Sequence, residues 1–213
     1  MRWPVGAVQI LVACGREDVA PVEDGCPCEG LALAGPATTE AALADALAQV
    51  RGAVPALDGV EVSVELVPDL AYFRAWAEVD GLLIDDGRAR RYAVHVDPVV
   101  LSDPMPEAGL VAILLHELGH IADYVAMDSD ALLAFVLWYG TQDPASSDEL
   151  RDYERATDTY ALDRGCADGL AEARAWIYAH AQTPEILADK QRNYLGPDEI
   201  AAWVDENGEC PGP

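Results

Sequence analysis

The chain has 213 residues, with 13 Lys and Arg against 38 Asp and Glu, for a formal net charge of -25. That length suits one domain with a sizeable core. The charge argues against nucleic acid and anionic membrane surfaces as partners, because both are met through clustered Lys and Arg. Lys190 is the only lysine.

Met1-Arg2-Trp3-Pro4 precedes an apolar run from Val5 to Ala13, broken only by Gln9. The run is too short to span a bilayer as a mature helix, but it has the charged start and apolar centre of an export signal. Leu11-Val12-Ala13-Cys14 resembles a bacterial lipobox, in which cleavage exposes the cysteine for lipid attachment. The expected organisation is therefore an export signal over 1–14, an acidic tether over 15–35 and one domain over 36–213. The protein is then exported, either lipid-anchored at Cys14 in a bacterial cell envelope or secreted, and membrane contact comes only through that anchor. A buried first strand with an ordinary buried cysteine is the competing reading. Cys26, Cys28, Cys166 and Cys210 remain, an even number consistent with export. Cys26-Pro27-Cys28 is too tight to close easily on itself, so each of the pair is expected to bridge to one of the distant two.

Thr38-Thr39-Glu40 supplies a hydroxyl cap for a helix over 41–50, ended by Gly52 and Pro55. Val60 to Leu66 alternates apolar and polar residues, as a half-buried strand does. Asp69 to Val79 carries Tyr72, Phe73 and Trp76 at helical spacing and predicts a short helix or irregular cover. Leu82 to Ile84 and Arg90 to Val96, separated by Asp85-Asp86-Gly87-Arg88, predict a β-hairpin around an Asp-Gly turn.

Gly109 to Val125 is apolar and free of proline, which predicts a helix of about four turns. Within it lies His116-Glu117-Leu118-Gly119-His120, an H-E-x-x-H motif. Residues four apart share a helix face, so both imidazoles can address one ion, with Glu117 beside them to take a proton from water. Two half-buried core histidines are the bland alternative. It would bury three ionisable groups together without a partner, at high cost. Gly119 lowers helix propensity by about 1 kcal/mol relative to Ala, which predicts a close approach to the backbone there. Asp123 shares the metal face, as a supporting or ion-pair residue.

Only helices follow. One opens at Ser129 or Asp130 and ends near Tyr139, and another runs from the Ser146-Ser147-Asp148-Glu149 cap to Arg164 with Gly165 as its stop. A third covers 168–181, a fourth starts at Thr183-Pro184-Glu185 and the last at Pro197. A catalytic zinc needs a third protein ligand. Glu154 and Asp158 lie four apart on one predicted helix face, so Glu154 can reach the ion while Asp158 orients a ligand imidazole. The competing reading pairs them with Arg151 and Arg155 on a solvated face. Asp143, in Gly140-Thr141-Gln142-Asp143, is an alternative ligand by its likeness to the G-T-x-D of aspzincins.

H-E-L-G-H followed by E-x-x-x-D-x-x-A resembles the gluzincin metallopeptidases, above all the soluble minigluzincins and the catalytic part of the HtpX-type and CAAX-prenyl proteases. The likeness covers residues 80 to 165. It implies an α+β, zincin-like fold: a small N-terminal antiparallel or mixed sheet with one helix, then the active-site helix and a mainly helical C-terminal half. It implies one zinc ion on His116, His120 and Glu154, with Glu117 as general base and Asp158 supporting His116. It also implies an extended peptide or protein substrate held by the strand before the metal helix, here Tyr92 to Val96. Tyr160, His180 and His95 are candidate transition-state stabilisers without an assigned role. The expected activity is peptide-bond hydrolysis. The alternatives are a catalytically silent, metal-stabilised envelope scaffold and a zinc hydrolase such as a deformylase. The latter takes an upstream cysteine ligand, which is missing here.

Overall fold

The computed structural model describes residues 26–68, 72–78 and 81–209. The export signal, Cys14 and Cys210 lie outside these residues. The architecture is α+β: a three-stranded mixed sheet followed by a mainly helical second half.

Helix α1 (Glu40–Arg51) starts where Thr39 Oγ1 accepts from Ala42 N at 3.2 Å, the expected hydroxyl cap. It buries Leu43, Ala46, Leu47 and Val50. Strand β1 (Glu61–Leu66) pairs in parallel with β3 (Arg91–Val96), and β2 (Phe73–Ala77) pairs antiparallel with β3, giving the order β1-β3-β2. The central strand carries the near-continuous apolar burial of Tyr92, Ala93, Val94 and Val96.

Two expectations fail here. The segment predicted as a short helix or irregular cover contains β2 instead. Phe73, Ala75 and Ala77 are buried while Arg74 and Trp76 are exposed, a period of two that the aromatic spacing masked. The Asp-Gly hairpin is also absent. Residues 84–90 carry only a short 3-10 turn (Gly87–Ala89), and β3 takes its partners from β1 and β2. Arg90 explains why, since its buried guanidinium donates to the carbonyls of Ile84, Asp85, Tyr124 and Met127. Two of these acceptors, Ile84 O and Asp85 O, lie in the expected hairpin and are satisfied by this one side chain, while the other two tie it to the end of the long apolar helix.

A short helix α2 (Val99–Ser102) follows β3, and helix α3 (Glu107–Ala126) then runs through the middle of the molecule, with Leu110 to Ile121 all buried. It is long and apolar enough to cross a membrane, but 78% of its apolar window is buried within the protein, as in a core helix. Helix α4 (Ser129–Thr141) follows, then α5 (Asp148–Leu162), α6 (Ala167–His180), α7 (Pro184–Asn193) and α8 (Pro197–Asn207). Helix α5 opens where Ser147 Oγ accepts from Leu150 N, and Gly165 (φ 77°) turns the chain after it.

At Gly119 the side chains of α5 pack closely against the backbone of α3. A Cβ there would sit 3.1 Å from Tyr160 Cδ1 and 3.2 Å from Thr157 Cγ2. The glycine therefore lets the second helix lie against the first, as its cost in helix propensity suggested. Cys28 is disulfide-bonded to Cys166 at the start of α6, and Cys26 is also disulfide-bonded. With Cys28 N donating to Arg164 O and Leu31 and Leu33 packed on the core, the segment before α1 is tied to the α5–α6 corner.

Candidate metal centre

Helix α3 presents His116 and His120 one turn apart, and α5 presents Glu154 against them. All three are buried. His116 Nε2 and His120 Nε2 are 3.1 Å apart, and Glu154 Oε2 lies 3.2 Å from His120 Nε2 and 3.5 Å from His116 Nε2. A tetrahedral ion with ligand distances of about 2.0–2.1 Å separates its ligand atoms by about 3.3 Å. The three observed edges bracket that value. These residues can hold a metal ion.

The outer nitrogens set the tautomers. His116 Nδ1 lies 2.9 Å from Asp158 Oδ1, with the ring N–H not aimed squarely at the oxygen, so the contact is a close ion pair more than an aligned hydrogen bond. His120 Nδ1 lies 2.8 Å from the Tyr153 hydroxyl and 3.4 Å from Thr157 Oγ1. A proton on each Nδ1 leaves each Nε2 lone pair turned inward, as metal-binding histidines require. Glu154 Oε1 accepts from Tyr139 OH at 2.8 Å. Burial, with Glu154 alongside, pushes the Tyr139 phenol far above its usual range and keeps it a donor.

Burial alone would raise Glu154, but the imidazoles of His120 and His116 hold it well below the usual carboxylate range. For Asp158 burial is likewise outweighed, by Arg174 and then His116. Arg174 donates to Asp158 Oδ1, and Leu195 N donates to Oδ2 at 2.8 Å. The competing surface pairs do not form. Arg151 engages Asp148 and Asp152, and Arg155 engages Glu199.

His116 has a measurable consequence. Burial pulls it down, but Asp158 and Glu154 more than offset this and hold it up to about 9. Its folded value exceeds the ordinary 6.5. The stability it contributes is therefore complete below the ordinary value and is lost as pH rises through about 9. A metal taking the Nε2 lone pair must displace a proton. Metal titration near neutral pH is thus expected to release about one proton per chain from this ring, read by calorimetry in buffers of different ionisation heat. Absence of release would mean the ring is already neutral.

Glu117 faces the same place, and its Oε2 accepts from Ala75 N at 2.6 Å. A cleft of about 450 Å³ opens beside the cluster, lined by β2 from Phe73 to Ala77, by Glu117, His120 and Glu154, and by Phe135, Val136 and Tyr139 of α4. Lys190 and Tyr194 line it from the other side.

No family model, curated protein or solved structure matches the chain. The site therefore rests on its own geometry.

Several expected residues fall elsewhere. Asp143 is exposed and closes a turn, accepting from Ala145 N and Ser146 Oγ at 3.0 and 2.7 Å, so it is no ligand. Asp123 is exposed and lies outside the ligand group. His95 sits 3.4 Å from Glu65 and stacks on Trp76, on the sheet face opposite the buried Ala75. His180 holds the end of α6, with Nε2 2.8 Å from Asp103 and its ring stacked on Trp176. Tyr160 packs under Gly119 with Arg164 over its ring. Strand β3 is paired on both sides, so Tyr92 to Val96 has no free edge, and the edge facing the cleft is β2.

Tyr139, Tyr153, Thr157, Arg174, Lys190 and Tyr194 escaped the sequence reading. For Thr157 and Arg174 a signal exists: each is a polar residue on the buried stripe of its helix, beside Tyr153 and Ala161 or Leu170 and Ile177. Tyr139 and Lys190 carry no such local mark.

Proposed function

We propose that the protein is a zinc-dependent metallopeptidase with a zincin-like fold of gluzincin type. The convergence of His116, His120 and Glu154 on one point, with Glu117 beside them, carries this reading. A bound zinc ion supplies Lewis-acid polarisation of the scissile carbonyl and acidifies water.

The chain's own residues then divide the remaining work. Ala75 N–H anchors one oxygen of Glu117, leaving Oε1 to take a proton from the attacking water and return it to the leaving amine. Asp158 and Tyr153 hold the two imidazoles in their tautomers. Glu78 N donates to Arg91 O of β3 and Tyr72 O accepts from Asp97 N just past its end, so the alternate residues Phe73, Ala75 and Ala77 turn their backbone groups away from the sheet. With Ala75 N–H given to Glu117, an extended peptide can add to that edge through the remaining backbone groups of Phe73, Ala75 and Ala77 and run past the cluster. The Cys28–Cys166 disulfide supports an oxidising compartment, in keeping with an exported protein.

The test is cleavage of a diverse peptide library by the zinc-loaded protein, with and without chelator. Glu117→Gln is expected to lower turnover about 10²–10⁴-fold, as loss of a general base does, while keeping its zinc. Stoichiometric zinc with no cleavage of any peptide would instead favour the silent scaffold.

A further inference from the structure

Lys190 is the one lysine in a chain of net charge -25. It stands on α7 and lines the cleft together with Glu117, His120 and Glu154. Its Nζ lies 4.7 Å over the Tyr194 ring and 3.5 Å from the Tyr194 hydroxyl, and that ring is 5.7 Å from His116. The charges of Asp189, then Glu154 and Glu117, are felt at the ammonium. Yet among the described residues no carboxylate lies within ion-pair distance of it, and neighbouring Asp189 instead accepts from Asn193 Nδ2. Among the described residues Arg74 of β2, which also lines the cleft, has no carboxylate ion-pair partner either, whereas Arg151, Arg155, Arg174 and Arg192 are all ion-paired.

A half-buried ammonium without a counter-ion is disfavoured by desolvation, which pulls its pKa down. A flexible lysine stem could carry the charge out to water, but here the ammonium is kept over an aromatic face inside the cleft. An arriving anion relieves that penalty. We propose that the Lys190 ammonium is the receptor for a substrate carboxylate, so that the cleft selects peptides bearing an acidic side chain or a free C-terminus beside the scissile bond. The rest of the acidic surface repels anions, so a carboxylate is retained where the cations of this cleft meet it, and Lys190 is the one beside Tyr194 at the metal cluster. Placement beside a scissile bond rests on the peptidase reading, whereas carboxylate binding rests on the position of the ammonium in the cleft.

Full-length, zinc-loaded Glu117→Gln protein, which does not consume its ligand, is titrated calorimetrically with matched peptides. One pair differs in a free or amidated C-terminus and the other in an internal Glu or Gln. In at least one pair the carboxylate form is expected to bind about tenfold tighter or more, as a charge-assisted hydrogen bond allows, and the pair that responds identifies the source. Adding Lys190→Met should erase the difference and Lys190→Arg should keep part of it. Equal affinities within both pairs, or a preference that survives Lys190→Met, overturn the proposal. If the wild type cleaves peptides without such a preference, the peptidase reading stands and this one falls. If the Lys190-dependent preference appears and nothing is cleaved, the carboxylate receptor stands and the peptidase reading falls.

Discussion

Asp158→Ala is expected to destabilise the protein by about 3–5 kcal/mol, the cost of leaving a buried charge without its partner. The residue is fully buried and serves three groups: His116 Nδ1, the Arg174 guanidinium and the Leu195 amide. Its removal strands Arg174, itself 1% exposed, and frees the His116 ring to turn. The same change should weaken metal binding about 10–100-fold, the usual penalty for losing a ligand's supporting partner. The two losses are separable. Replacing both members, Asp158→Leu with Arg174→Met, removes the stranded charge and should recover much of the stability while leaving metal affinity low. Denaturant unfolding and metal titration of the single and double variants check this. If Asp158→Ala unfolds at the wild-type midpoint, the buried pair is not what holds α5 to α6.

The metal helix was legible because its information is local. His116, Glu117 and His120 fall within five residues of a single uninterrupted apolar helix, and the four-residue spacing alone puts both rings on one face. Glu154 and Asp158 were legible for the same reason, being two carboxylates on the buried side of an otherwise charged helix. Gly119 even announced that something crosses there, and Tyr160 and Thr157 do.

What failed was non-local. Nothing within 82–96 says that Arg90 will cap carbonyls more than thirty residues downstream, so the Asp-Gly signal predicted a hairpin that the guanidinium displaces. The strand expected to hold substrate, Tyr92 to Val96, is paired on both sides, because its partners β1 and β2 come from segments that nothing within 90–96 identifies. Tyr139 and Lys190 reach the cleft from helices whose docking depends on the whole fold. A period of two inside an aromatic-rich stretch was hidden for another reason: Tyr72, Phe73 and Trp76 satisfy a helical spacing while Phe73, Ala75 and Ala77 satisfy a strand.

Glu154→Ala should empty the site of the proposed zinc ion, and it is the change on which the proposed function turns. Glu154 is the only carboxylate in the ligand group, and its Oε2 closes the triangle with both Nε2 atoms. Without it the two imidazoles offer one edge of the tetrahedron and no negative charge, so the loss should exceed the about 10–100-fold cost of a missing supporting partner. Tyr139 would also lose its acceptor, a part-buried hydrogen bond worth about 1 kcal/mol. Glu154→Gln keeps an oxygen for Tyr139 while removing the charge, so it should restore the stability without restoring the metal. Asp143→Ala is the matched control, since that side chain only closes an exposed turn and its loss should leave zinc content at one per chain. Metal analysis of the purified variants decides the matter. A Glu154→Ala protein that keeps full zinc would place the third ligand elsewhere, and the peptidase geometry built on α5 would have to be abandoned.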